Sequence, residues 1–324
     1  MVDVAQQQSG AKRRLQSQPS RTTHPLCAIF EKRSIAMQRR SLIGSALAGS
    51  LAAALSVSAE AKVKNPLPKA AVSPKRRVLV QSSSRYHQSG YLDFCGEQYE
   101  RLFDGKKPTL LFIPYAKVAG TYDGYEKQVQ DAFKRYGQKV VSIHHFADPV
   151  KAVKEAQAIA VGGGNTWALV TRIYEAGIMD VIRDRVNSGE LPYCGWSAGG
   201  NICCPTLRTT NDMPIAEPAS FNTFGFIPFQ TNPHFISGGQ QGLNNETRED
   251  RLEEFLYYNP DEEVIGLPEG TALYVTGEND CEVMGPKDAE ALYWFRQQPK
   301  PLTLERIALG SKFDLRKVVP GGKL

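Results

Sequence analysis

From about residue 78 onward the chain alternates short apolar runs with amphipathic stretches. Runs at 78–81, 109–113, 139–143, 158–161 and 192–196 are bounded by turn residues and have the length of buried strands. Between them the period changes. Val129, Phe133 and Tyr136 repeat at helical intervals within 125–136, and a helix over 167–175 follows Thr166, a residue able to cap it. Alternation at this spacing predicts an α/β fold with a mainly parallel sheet and helices on both faces. Later strands are expected near 264–267, 272–275 and 281–284, completing that one sheet.

Ahead of residue 78 the pattern is different. Met37 is followed by Arg39-Arg40-Ser41, an uncharged stretch over 42–59, and Ala59-Glu60-Ala61, which is the layout of a secretory signal with a twin-arginine-like start. Residues 37–61 are therefore expected to be a signal peptide cleaved after Ala61. Residues 1–36 read as an upstream non-native start or a disordered segment, and 62–77, rich in proline and basic residues, as a linker. This predicts a periplasmic or secreted protein with no membrane contact after processing; an uncleaved anchor and a cytoplasmic protein are the alternatives.

Charge supports the same division. The whole chain carries a net +5, but residues 1–77 carry 14 Lys and Arg against 3 Asp and Glu, so the rest is net acidic. A basic surface for nucleic acid is not expected on the body. With 41% hydrophobic residues in 324, the chain is too apolar for a disordered protein. Of the 6 cysteines, cleavage would leave an odd number, and Cys203-Cys204 with no histidine at a ligand interval gives no metal pattern. No metal and no cofactor are expected. Buried thiols of this kind count against export.

Two loops at predicted strand ends carry chemistry, where active sites of such sheets lie. The run 158–161 leads into Gly162-Gly163-Gly164-Asn165-Thr166, whose backbone N–H groups can approach an anion or oxyanion at a helix start. The run 192–196 leads into Gly195-Trp196-Ser197-Ala198-Gly199, a G-x-S-x-G between strand and helix, the pattern of a nucleophile elbow. Ser197 then needs a base. His234 is the one histidine after the serine, set in Asn232-Pro233-His234-Phe235; a structural histidine is the alternative. Asp212 and Glu269, each on a turn beside proline, are both candidates to orient the imidazole, and the residues alone leave that choice open.

Six ordered blocks resemble the peptidase E family of α-aspartyl dipeptidases: the glycine loop, the serine elbow, Arg208-Thr209-Thr210-Asn211-Asp212-Met213-Pro214-Ile215, Asn232-Pro233-His234-Phe235, Glu246-Thr247-Arg248-Glu249 and Ile265-Gly266-Leu267-Pro268-Glu269-Gly270. The resemblance implies a flavodoxin- or class I glutamine amidotransferase-like three-layer sandwich over 78–324. It also implies a serine-type dipeptidase that removes N-terminal aspartate from Asp-X, with Ser197 as nucleophile, His234 as base, Asp212 as the usual third member and Glu269 as its rival.

An aspartyl substrate needs a cation for its side chain and an anion for its ammonium. Arg248 and Glu246 are the candidates, with Asn165 and Thr166 as further donors, although both charges could instead lie on a solvated helix. Gly163 or Gly164, with Ala198, should supply the oxyanion hole. Gly200 and Asn245 depart from the family pattern, Asn245 beside the expected substrate loop. The expected partner is a small peptide, bound by a monomer or homodimer. A general α/β-hydrolase esterase and a non-catalytic amidotransferase-like binding protein are the competing functions.

Overall fold

The computed structural model describes residues 71–239, 246–296 and 300–324. The expected signal peptide, the upstream segment and Asn245 lie outside the described residues.

The main sheet begins with β1 (Arg77–Gln81), β2 (Leu110–Ile113), β3 (Val140–Ser142), β4 (Ala158–Val161) and β5 (Tyr193–Trp196). These pair in parallel, and β8 (Ala272–Thr276), β9 (Asp280–Met284) and β12 (Lys312–Asp314) extend the sheet antiparallel beyond β1. The order is β12-β9-β8-β1-β5-β4-β2-β3.

Successive side chains of a strand face opposite ways, and two cores result. Leu79, Leu110 and Phe112 face α1 (Gly96–Phe103) and α2 (Tyr122–Lys134), which contribute Tyr99, Leu102, Val129 and Phe133. Val78, Val80, Leu111 and Ile113 face α3 (Pro149–Glu155), α4 (Thr166–Glu175) and α5 (Met179–Asn187). Strands covered on both faces are apolar throughout, which is why they were readable as runs. Each buried Val or Leu side chain contributes about 1.5–3 kcal/mol.

The sequence expectation of one sheet is corrected by a second one. β6 (Gln230–Pro233), β7 (Val264–Leu267), β10 (Leu292–Arg296) and β11 (Thr303–Ile307) form a four-stranded sheet in the order β11-β10-β7-β6. Its Ile265 and Trp294 join the core beneath α3, α4 and α5, while Val264, Tyr293 and Phe295 pack against Leu252 and Leu256 of α7 (Arg248–Tyr258). Thus β7 belongs to this sheet and not to the main one. Two smaller corrections accompany it. The cap of α4 is Asn165, whose Oδ1 accepts from Ala168 N at 3.0 Å, and not Thr166. The packed body also reaches into the expected linker: Ser73 N donates to Asn187 O, and the Arg76 guanidinium donates to the carbonyls of Gly277, Phe226 and Glu278. Burial lowers that guanidinium to about 10.

Among the described residues, no helix is long and apolar enough to cross a membrane. Cys95, Cys194, Cys203, Cys204 and Cys281 are free and buried, and burial pushes their thiols up, that of Cys204 to about 12.

Candidate active site

Ser197 sits between β5 and the short α6 (Ala198–Asn201) with φ 55° and ψ −115°. A non-glycine residue held there is strained by the order of 1–3 kcal/mol, and its surroundings must impose it. They do so by close approach. A Cβ on Gly199 would lie 2.2 Å from Val161 O, and one on Gly163 would lie 2.8 Å from Ser197 Cβ. Only glycine at both positions lets the loop after β4 close on the elbow. Ser197 N donates to Gln81 O at 3.0 Å, fixing the turn to the end of β1.

His234 follows β6, also at positive φ (54°), and Glu269 follows β7. The two strands are parallel neighbours with Pro233 opposite Leu267, so both side chains leave the same end of the second sheet. His234 Nε2 lies 2.9 Å from Ser197 Oγ, and its Nδ1 lies 2.9 Å from Glu269 Oε1. A hydroxyl donating to Nε2 requires the proton on Nδ1, which then donates to the carboxylate. The Glu269 side chain is 54% exposed, so water competes with its charge. Ser82, fully buried, joins the two sheets: its Oγ accepts from His234 N at 3.0 Å and donates to Leu267 O at 2.7 Å.

Asp212 does not meet His234, so the expectation of Asp212 as the orienting carboxylate is corrected in favour of Glu269. Asp212 Oδ2 accepts from Thr166 N and from Thr166 Oγ1, each at 2.7 Å, on the N-terminus of α4 where the helix dipole favours an anion. Asn211, by donating to Pro233 O, anchors that loop to β6.

Two cavities meet at Ser197 and His234. The smaller, about 330 Å³, is lined by Thr166, Thr210, Asp212 and Arg248. Arg248 opens α7, whose start is fixed by a capping box between Thr247 and Asp250. Its Nη1 is buried without a hydrogen-bond partner. Burial, followed by the neighbouring Arg251, lowers its affinity for the proton, and Asp212 opposes them. Glu246 is not in this cavity: it is exposed and accepts from Arg251 Nε at 2.6 Å, so the anion beside Arg248 is Asp212 and the expectation for Glu246 is corrected. Asn165 and Thr166 line the two cavities, but their side chains are engaged, Asn165 Nδ2 on Met213 O and Thr166 on Asp212. They hold the Asp212 loop against α4.

The larger cavity, about 500 Å³, is walled by Tyr91, Tyr125, Trp196 and the glycine loop. Trp196 Nε1 donates to Tyr91 Oη at 2.8 Å, Tyr91 Oη to Tyr125 Oη at 3.1 Å, and Tyr125 Oη to Gly163 O at 3.0 Å. Burial raises both phenols, keeping them neutral donors. Because the peptide is planar and trans, fixing Gly163 C=O aims Gly164 N–H the opposite way. Among the described residues, no acceptor takes the N–H of Gly163, Gly164 or Ala198.

Ser82, Tyr91 and Tyr125 were not anticipated from the sequence. Ser82 had one signal, its place directly after a central parallel strand; the tyrosines had none.

The model of peptidase family S51 matches residues 78–282. Peptidase E of Haemophilus influenzae (strain ATCC 51907) is 46% identical over 201 residues, 62% of this chain and 92% of the relative. Peptidase E of Actinobacillus pleuropneumoniae serotype 7 is 44% identical over 216 residues, 66% of this chain and 91% of the relative. Peptidase E of Nostoc sp. (strain PCC 7120) is 39% identical over 221 residues, 68% and 89%. A crystal structure of a peptidase from an acI-B1 Actinobacterium superposes with a TM-score of 0.53 at 19% identity, covering 76% of this chain and 98% of that one, a likeness of fold.

Proposed function

The chain belongs to peptidase family S51 and is a serine-type peptidase; on that premise we propose that it hydrolyses Asp-X dipeptides with Ser197, His234 and Glu269 as its catalytic chain and Arg248 and Asp212 as the readers of aspartate. The observation that carries the reading is one cavity that holds Ser197, His234, Arg248 and Asp212 together. An N-terminal aspartyl residue brings a β-carboxylate for Arg248, whose Nη1 is buried without a hydrogen-bond partner, and an ammonium for Asp212. The residue after aspartate occupies the larger, tyrosine-lined cavity.

In the reaction, His234 Nε2 takes the Ser197 proton as Oγ bonds to the aspartyl carbonyl carbon, and the carbonyl electron pair moves onto oxygen. Ala198 N–H and that of Gly163 or Gly164 donate to this oxyanion; each such donor stabilises the transition state by about 2.7–4 kcal/mol. The C–N bond then breaks, the amine takes the proton from His234, and an aspartyl ester remains on Ser197. Water, giving its proton to His234, attacks the ester carbonyl; the acyl–oxygen bond breaks, Ser197 Oγ takes the proton back from His234, and aspartate leaves. Glu269 stabilises the imidazolium at each stage.

The competing functions are separated by two measurements. A fluorophosphonate should label Ser197, which a binding protein would not permit, and Asp-Leu should be cleaved far better than p-nitrophenyl acetate, the reverse of an esterase. A neutral ester offers no acceptor to the buried Arg248 Nη1, which favours the dipeptidase. Export through residues 37–61 is part of the proposal, and N-terminal sequencing from the native host tests it: a chain beginning at Lys62 supports export, and an intact Met37 or Met1 in the cytoplasm contradicts it.

A further inference from the structure

At the β3 edge of the main sheet, the start of α2 meets the end of β3. Asp123 and Glu126, three residues apart, share one face of α2. His144 and His145 follow β3 after Ile143. One ligand atom from each of these four side chains lies within 4.8 Å of the others, the one such cluster among the described residues. His144 Nε2 is 2.9 Å from Asp123 Oδ1, and His145 Nε2 is 2.6 Å from Glu126 Oε2.

The rings of His144 and His145 are 3.9 Å apart between centroids, which brings both Nε2 atoms to the same pair of carboxylates. A single divalent ion there neutralises both carboxylates with both imidazoles uncharged. The atoms behind the four ligands are arranged accordingly. His144 Nδ1 lies 2.6 Å from Ser142 Oγ, a hydroxyl that can accept from Nδ1–H and so leave the Nε2 lone pair for a metal. Glu126, whose side chain is 8% exposed, has its other oxygen occupied by Ser142 N at 2.8 Å and Gln130 Nε2 at 3.2 Å. Outer partners of this kind hold ligating histidines and carboxylates in place.

We infer that Asp123, Glu126, His144 and His145 form a binding site for a divalent transition metal of the zinc class, clamping α2 to β3. Two imidazole nitrogens and two carboxylate oxygens suit Zn²⁺ in tetrahedral geometry and disfavour Ca²⁺ and Mg²⁺. Closure needs only small rotations, because ligands about 2.0–2.2 Å from zinc are separated by about 3.3–3.5 Å. This inference is independent of the peptidase reading.

The test is calorimetric titration of chelator-treated, untagged full chain with ZnCl₂. One equivalent is expected to bind at micromolar affinity or better and to raise the melting temperature. His144→Ala and His145→Ala should each weaken binding at least tenfold, and Ser142→Ala, which removes only an outer partner, by about 10–100-fold. His24→Ala, in the N-terminal segment, should change nothing. Should the histidine variants misfold, Co²⁺ added to the unaltered protein decides: intense four-coordinate bands displaced by zinc support the site. Absence of zinc uptake, uptake unchanged in His144→Ala/His145→Ala, or a weak six-coordinate cobalt spectrum would overturn it.

Discussion

Two pairs of parallel strands build the hydrogen-bonded chain of Ser197, His234 and Glu269, and they differ in kind. β4 and β5, with Val161 opposite Gly195, lie in the middle of the main sheet and end in the glycine loop and Ser197. β6 and β7, with Pro233 opposite Leu267, lie in the small sheet and end in His234 and Glu269. The first pair is apolar and held by packing. In the second, β6 is Gln-Thr-Asn-Pro, fully buried, and is held by polar bonds: Gln230 Nε2 to Glu262, Asn232 Nδ2 to Thr209 O, and Thr231 O accepting from Asn201 and Thr209. Ser197 is thus fixed by close packing, and His234 by a hydrogen-bond network that ties β6 to the loops beside it.

The largest effect comes from separating the pairs chemically. Ser197→Ala and His234→Ala should each lower kcat on Asp-Leu by about 10⁶-fold, because nucleophile and base act as a unit, while circular dichroism remains that of the parent. Substantial turnover in either would require another mechanism.

Glu269→Gln and Asp212→Asn then test which carboxylate serves which pair. A buried orienting carboxylate is worth about 10⁴-fold in another triad. Glu269 is half exposed and screened, so Glu269→Gln should cost about 10²–10³-fold, mainly in kcat. Asp212→Asn should cost about 10–100-fold in kcat/KM, the scale of one hydrogen bond to a charged group, through weaker hold on the substrate ammonium. A larger kcat loss in Asp212→Asn than in Glu269→Gln would reverse the assignment.

Ser82→Ala tests the joint between the sheets. It leaves His234 N–H without its acceptor and takes one of two donors from Leu267 O, which keeps Phe235 N–H, at about 1–3 kcal/mol for the lost partner. At roughly 2–4 °C per kcal/mol, a fall in melting temperature of several degrees is expected, with kcat reduced as His234 loosens. A melting temperature unchanged by Ser82→Ala would show that the sheets are joined elsewhere. The smallest expected signal is a thiol count. Burial raises all 5 described thiols, so a disulfide reagent at neutral pH should find none of these five in the folded protein.

The same contrast explains how much of the molecule was legible. β4, β5 and their loops were readable because the apolar runs, the glycines and the serine elbow are local signals. β6 was invisible because a strand of Gln, Thr, Asn and Pro carries no hydrophobic period. β7 was readable as a strand but was assigned to the wrong sheet, since its partners, β6 and β10, are chosen by distant pairing. β11 buries little besides Ile307, so its pattern is weak. The ambiguity between Asp212 and Glu269 has the same origin: both sit on turns beside proline, and only the pairing of β6 with β7 brings Glu269 to His234. Glu246 was misread because its spacing from Arg248 does not reveal that Arg251, one turn on, captures it.

The central claim is that Arg248, in the cavity shared by both strand pairs, reads the substrate aspartate. Its most direct test is the ratio of kcat/KM for Asp-Leu to that for Asn-Leu, measured in the parent and in Arg248→Met, which keeps the stem and removes the charge. A ratio of about 10–100 or more is expected in the parent, the scale of a hydrogen bond to a charged group, and a ratio near unity in Arg248→Met. A general loss of rate with the ratio unchanged would contradict it and would place recognition of aspartate elsewhere in the site.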